Sequence, residues 1–185
     1  MDALIAMTAT EAVAALRAGQ VKPSELVDAA ARRIEAVEPG LNALPILDLD
    51  RARETAKRRE EDGVDPSDHP ADLAGLPIAI KDLIDVAGLP TTYGCPLFKD
   101  NVAKTSDPLV RLLESRGAIV VAKSNSPEFG MLPVTDNRVF GATASPYGAD
   151  RTSGGSSGGA AAAVATGEVW LAHGSDVGGS LRIPA

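Results

Sequence analysis

Gly154-Gly155-Ser156-Ser157-Gly158-Gly159, followed by Gly174-Ser175-Asp176-Val177-Gly178-Gly179-Ser180, is the stretch on which the fold of this chain turns. Paired glycines let backbone approach a neighbour closely and adopt torsions that other residues avoid. Serines among them offer small hydroxyls, which become nucleophiles once a base takes their proton. By composition alone such a tract is a flexible linker. Its flanks argue for an ordered loop. Ala160 to Ala165 is an Ala/Val run of helical character, and Val169-Trp170-Leu171-Ala172 reads as a short buried strand. A phosphate cradle at a helix N-terminus is the other use of such glycines. Neither Gly-x-x-x-x-Gly-Lys-Ser/Thr nor a Gly-x-Gly-x-x-Gly following a strand is present.

A base is available upstream. Lys81 stands alone in Pro77-Ile78-Ala79-Ile80-Lys81-Asp82-Leu83-Ile84, a run that otherwise reads as a buried strand. Considered without the serines, Lys81 reads as an edge-strand lysine whose ammonium snorkels to water.

Working outward, the pattern from Gly75 onward alternates strands and helices. Pro77 to Ile84 is a predicted strand. Asp107 to Arg116 is a predicted helix with Leu109, Val110, Leu112 and Leu113 inward, closed by Gly117. Ala118 to Ala122 is an apolar strand of the kind buried in an α/β sheet, and Gly158 to Thr166 is a helix before a strand at Val169 to Ala172. The first 62 residues read as mostly helical. Thr8-x-x-Glu11 is a capping box and Gly19 closes that helix. Pro23-Ser24-Glu25 opens a helix to about Val37, ended by Pro39-Gly40. Ala43 to Leu49 reads as a strand, Arg51 to Glu61 as a charged helix, and Asp62 to Pro70, with His69, as a polar loop. The expected fold class is α/β, helices packed on a central mixed sheet, within one domain: a helical region over 1–62 and an α/β core over 75–185.

Composition narrows the function. A net charge of −7 over 185 residues excludes a basic nucleic-acid surface. One cysteine excludes an intrachain disulfide and suits a reducing compartment, so a cytoplasmic location is expected. The N-terminus lacks a signal-peptide pattern, and no apolar stretch reaches the ~18–20 residues that span a bilayer. Two distant histidines and Cys95 give no metal-ligand spacing. A Ser-His-Asp arrangement around His173 and Asp176 is conceivable on residue types alone.

The chain resembles the amidase signature family of amide hydrolases. The resemblance is carried by Gly75-Leu76-Pro77-Ile78-Ala79-Ile80-Lys81-Asp82, Ala122-Lys123-Ser124-Asn125-Ser126-Pro127-Glu128-Phe129-Gly130, Thr135-Asp136-Asn137-Arg138-Val139-Phe140-Gly141 and the block from Gly154 to Pro184. It implies a Ser–cis-Ser–Lys triad, with Lys81 as base, Ser156 as bridging serine after a cis Gly155–Ser156 bond, and Ser180 as nucleophile. It further implies an oxyanion hole of backbone N–H groups from Val177, Gly178, Gly179 and Ser180. Gly155, Ser157, Asp176 and Arg182 would support the site, and Gly130 and Met131 would border a small-molecule amide substrate. The triad needs no cofactor and no metal. The apolar neighbours Ile78, Ile80 and Leu83 would desolvate Lys81 and lower its pKa.

Members of this family are more than twice as long, so the resemblance makes this chain an N-terminal portion with little or no activity expected by itself. It leaves a homodimer open. Two other functions compete: an ammonia-supplying subunit of an amidotransferase acting on charged transfer RNA, and a non-catalytic binding module. Ser126-Pro127-Glu128-Phe129 is closer to stand-alone amidases than to that subunit, where Met-Asp-Glu-Phe is typical.

Overall fold

Thr8 starts the first helix as its spacing predicts. Its Oγ1 accepts the Glu11 N–H at 3.2 Å, and Glu11 Oε2 accepts the Thr8 N–H at 2.7 Å. Helix α1 (Ala9–Arg17) follows and buries Ala12 and Leu16. The computed structural model describes residues 2–62, 72–148 and 150–185. The loop predicted before Pro70, including His69, therefore falls largely outside the described residues.

Helix α2 (Pro23–Leu41) opens with Pro23 in its first turn, as expected, but it does not stop at Pro39. Pro39 removes one N–H donor. The helix continues because the Glu38 carboxylate ties down the chain beyond, accepting N–H groups from Ala43 and Leu44, and because Leu41 is buried. Asn42, left-handed at φ 55°, ends it.

The strand predicted over 43–49 shrinks to β1 (Ile46–Leu47), since α3 (Leu49–Asp62) already begins at Leu49. Strands β2 (Pro77–Lys81) and β3 (Ile119–Ser124) are buried along their whole length. Between them lies α4 (Pro108–Ser115), capped by the Asp107 carboxylate on the Leu109 N–H. Only part of its predicted apolar face is inside. Val110 is fully buried and Leu113 packs against the core, whereas Leu109 and Leu112, on another side of a 3.6-residue turn, are exposed. Helix α5 (Gly158–Thr166) has the predicted bounds. Strand β4 is only Leu171–Ala172, because Val169 and Trp170 turn into the core without pairing; Trp170 Nε1 donates to the Leu4 carbonyl at 3.2 Å.

The sheet runs β1-β3-β2-β4, with β1 antiparallel to β3 and the other pairs parallel, the expected mixed α/β arrangement. Alternation along the strands divides the core. Ile78, Ile80 and Val120 pack with Leu16, Leu26 and Val110 on one face. Ala79, Ile119 and Val121 pack with Val27, Ile34, Ala162 and Ala163 on the other. Helix α5 thereby sits on the same face as Ala79, and its N-terminus meets the end of β2. Among the described residues no helix is long and apolar enough to cross a membrane.

Candidate active site

Lys81 is the last residue of β2 and is completely buried. Its pleat position sends it towards α5. There Nζ lies 2.7 Å from Ser156 Oγ, 2.9 Å from Ser157 Oγ and 3.2 Å from Ser175 Oγ. Among the described residues no carboxylate is hydrogen-bonded to it. Burial lowers its pKa from 10.5 to about 8, with the charge of Asp176 pulling weakly the other way. The snorkelling alternative is thereby overturned.

The three hydroxyls are not equivalent. Ser157 Oγ donates to the Ser175 carbonyl and accepts the Ser175 N–H, both at 3.3 Å. Its hydrogen is thus committed, and towards Lys81 it can only accept. A neutral amine has two hydrogens and one lone pair. With one hydrogen directed to Ser157, the lone pair remains for Ser156 or Ser175. Ser156, at the shortest distance, has Lys81 as its only side-chain partner among the described residues.

The glycines explain how Ser156 reaches this position. The Gly155–Ser156 peptide bond is cis. A Cβ on Gly155 would stand 2.7 Å from the Val134 nitrogen, so the loop lies against backbone that only glycine can approach. One hydroxyl spans the turn: Thr135 Oγ1 donates to the Gly154 carbonyl at 2.8 Å and accepts the Gly158 N–H at 3.0 Å.

Ser180 is half-buried and is held by its backbone, its carbonyl accepting the Ser157 N–H at 3.1 Å. Among the described residues no hydrogen bond joins its hydroxyl to Ser156. The loop around it is organised by Asp176. Its carboxylate accepts the N–H groups of Gly179 (2.7 Å), Leu181 (3.0 Å) and Arg182 (3.3 Å), and pairs with the Arg182 guanidinium at 2.9 and 3.1 Å. These contacts, the guanidinium first, hold its carboxyl far below the usual carboxylate range. Asp176 acts as an anionic cap on the turn that starts at Gly179. Of the four N–H groups expected to form an oxyanion hole, that of Gly179 is therefore engaged by Asp176. Those of Val177, Gly178 and Ser180 make no hydrogen bond among the described residues.

Gly130 does border the cluster: a Cβ there would stand 3.3 Å from Ser156 Oγ and 2.8 Å from Leu83. Met131 is next to it and largely exposed. His173 follows β4, its N–H on the Ala79 carbonyl at 2.8 Å, while Nδ1 is buried without a partner among the described residues. Burial, then the proximity of Lys81, pushes its pKa down. Asp176, committed to its own loop, makes no hydrogen bond to it, so no Ser-His-Asp arrangement forms among the described residues. Cys95 is buried, and among the described residues no group of acidic, His or Cys side chains is placed to hold a metal. Ser175 escaped the sequence reading. It lay in view beside Asp176, but nothing in its spacing shows that it faces Lys81.

The family model described as Amidase matches residues 25–185. The chain is 42% identical over 183 residues to the indoleacetamide hydrolase of Bradyrhizobium diazoefficiens, covering 96% of this chain and 34% of that protein. It is 42% identical over 167 residues to a glutamyl-tRNA(Gln) amidotransferase subunit of a Synechococcus species, covering 90% and 34%. The solved structure of a bacterial aryl acylamidase of the amidase signature family superposes with a TM-score of 0.87 at 37% identity, covering 96% of this chain and 37% of that one. The chain thus spans about a third of the length of the relatives it matches. By sequence and by fold, the chain belongs to the amidase signature family.

Proposed function

We propose that this chain carries the catalytic half-site of an amide hydrolase that forms an acyl-enzyme on Ser180. The observation that carries this reading is the buried Lys81, bonded to hydroxyls and to no carboxylate among the described residues, with Ser156 at 2.7 Å. A lysine with a pKa of about 8 is neutral in about a tenth of molecules at pH 7, far more than an ordinary lysine.

In the proposed sequence, Ser180 Oγ attacks the amide carbonyl carbon as its proton passes to Ser156 Oγ, whose own proton passes to neutral Lys81. The developing oxyanion is received by the free N–H groups of the Val177–Ser180 loop; one such donor is worth about 3–4 kcal/mol in the transition state. Collapse breaks the C–N bond. The leaving nitrogen takes the proton back through Ser156, restoring neutral Lys81. Water, deprotonated through the same pair, hydrolyses the ester and frees Ser180. The Ser180–Ser156 contact that this requires closes with substrate bound, as catalytic hydrogen bonds often do. Ser157 orients the lysine lone pair, and Asp176 with Arg182 holds the loop.

The test is mass spectrometry after exposure to a fluorophosphonate. Label on Ser180, in this chain or in one extended to the length of its relatives, that is lost in Lys81→Ala supports the reading; a Ser180 unlabelled in both, or label indifferent to Lys81→Ala, sinks it. The identity to the amidotransferase protein favours a second reading, in which the released ammonia serves a partner. Stable association with a partner protein would support it.

A further inference from the structure

Lys81 and Ser156 come from separate parts of the chain, yet their polar atoms lie 2.7 Å apart. Lys81 is fixed by its strand. Ser156 has no such support of its own. Its hydroxyl has no side-chain partner besides Lys81 among the described residues, and the glycines around it give the loop no stiffness. A segment from elsewhere supplies the support. Leu132 and Val134 lie so close to Gly155 that a Cβ there would strike the Leu132 carbonyl and the Val134 nitrogen. Thr135, the next residue, is 2% exposed and holds both sides of the loop with one hydroxyl. It donates to the Gly154 carbonyl at 2.8 Å and accepts the Gly158 N–H at 3.0 Å.

A hydroxyl has one hydrogen to give, and Thr135 gives it to Gly154. The Gly158 N–H belongs to the first turn of α5, where no carbonyl of the helix can accept it. Gly158 is fitted to the contact, since a Cβ would fall on Thr135 Oγ1 and Ser153 Oγ. Thr135 is in turn tied to the strand beside Lys81. Its carbonyl accepts the Thr143 N–H at 3.0 Å, and Thr143 Oγ1 accepts from Asn125 Nδ2 at 3.0 Å. Asn125 follows Ser124, the β3 residue that pairs with Lys81. A closed ring of contacts thus runs from Lys81 across the sheet to Asn125, through Thr143 and Thr135 to the Ser156 loop, and back to Lys81. Thr135 is where this ring meets the loop, with one atom making both bonds.

We propose that Thr135 is a positioning residue, whose hydroxyl sets the turn from Gly154 to Gly158 so that Ser156 Oγ meets Lys81 Nζ. The proposal rests on the hydrolase reading for the chemical use of that meeting; the contact itself is a matter of geometry. A valine at 135 has the outline of threonine without the hydroxyl. It would leave the Gly154 carbonyl and the Gly158 N–H unpaired, and both glycines are buried, so water does not replace the lost partner. The loop relieves that cost by shifting, and Ser156 lies between the two groups that shift.

The test reads Lys81 directly, by following the carbon beside its amine in an NMR pH titration, with Lys81→Met to assign the signal. Ser156→Ala takes away the nearest acceptor of the protonated amine, so the Lys81 midpoint should fall by about one pH unit. Thr135→Val should lower it by a similar amount, and Thr135→Ser, which keeps the hydroxyl, should leave it near the starting value. Ser156→Ala and Thr135→Val together should lower it little more than Ser156→Ala alone, because the two residues act through one contact. A midpoint unmoved by Thr135→Val, shifts that add in full, or Thr135→Ser behaving as Thr135→Val would overturn the proposal. If Thr135→Val does not fold, Thr135→Ala takes its place with the same expectations and the same grounds for rejection. A threonine that only held the fold together would cost stability in urea and leave the Lys81 midpoint where it was. Fluorophosphonate labelling keeps the two ideas apart. Ser180 unlabelled in this chain and in the extended one, with the midpoint moved by Thr135→Val, removes the hydrolase reading and keeps the positioning role. Label lost in Lys81→Ala, with a midpoint indifferent to Thr135→Val, does the reverse.

Discussion

Two lysines on neighbouring strands, Lys81 on β2 and Lys123 on β3, are both completely buried, and their surroundings make them different chemical objects. Lys123 Nζ meets the Asp82 carboxylate at 3.0 Å, the Pro90 carbonyl at 2.9 Å and Thr91 Oγ1 at 3.0 Å. Lys81 meets three hydroxyls and, among the described residues, no carboxylate. Yet it is Lys81, not Lys123, that precedes Asp82 in the chain. Successive residues of a strand point to opposite faces. Lys123 pairs in register with Ile80, so it shares a face with the Asp82 side chain, while Lys81 points the other way, at α5. Burial lowers the pKa of both lysines, and at Lys123 the adjacent carboxylate pushes back up. One lysine is arranged to keep a charge, the other to lose it.

The largest expected effect breaks the Lys123 side of this comparison. Lys123→Met strands the Asp82 carboxylate in the core and should lower stability by about 3–5 kcal/mol, read from urea unfolding. Adding Asp82→Leu should recover much of that loss. Lys81→Met strands no ion, so its unfolding free energy should change far less, while Ser180 labelling disappears. If both lysines prove equally costly to replace, the distinction fails.

The next prediction concerns pH. Labelling at Ser180 should rise as Lys81 loses its proton, with a midpoint near pH 8. Ser157→Ala removes an acceptor that also favours the protonated amine, so the midpoint should move down by about one pH unit. A midpoint unmoved by this change would mean that Ser157 does not orient the base.

Stability should carry its own pH signature. Burial, then the nearby Glu38, raises the Glu168 pKa from 4.5 to about 8. The native state therefore holds a proton that the unfolded state has released, and stability falls as pH rises from about 4.5 to 8. Lys81 has the opposite sign. Its native pKa lies below the unfolded value of 10.5, so it holds fewer protons when folded and stability recovers between about 8 and 10.5. His173, shifted down, works against Glu168 below pH 6.5. Glu168→Gln should flatten the decline up to pH 8 in a series of urea titrations and leave the recovery above it.

The smallest effect is expected at Arg182, whose side chain is 77% exposed. Arg182→Ala should barely move the unfolding midpoint, because Asp176 keeps its three backbone N–H donors. Asp176→Ala, which leaves all three donors without their acceptor, should reduce labelling much more than Arg182→Ala does.

Much of this was legible in local patterns. The capping box at Thr8, the apolar run of β3 and both ends of α5 depend on neighbours in sequence, and the structure keeps them. The misreadings share one cause. Pro39 looked like a stop because the support given by the Glu38 side chain to Ala43 and Leu44 does not show in the spacing. Leu109 and Leu112 looked like core because a leucine-rich turn does not say which side has a partner. Residue types and order determined that Lys81 would lie in a buried strand, though that strand ends at Lys81 and not at Ile84 as its pattern suggests, because the Ile84 N–H turns back onto the Lys81 carbonyl; they also determined that glycines would let the Ser156 loop pass close to other backbone, and that the chain belongs with the amidases. Only the tertiary structure decided that Ser175 joins Ser156 and Ser157 on Lys81, and that Asp82 serves Lys123 instead of its own neighbour. Those outcomes depend on sheet register and on which helix covers which face, and both are set by the packing of residues far apart in the chain.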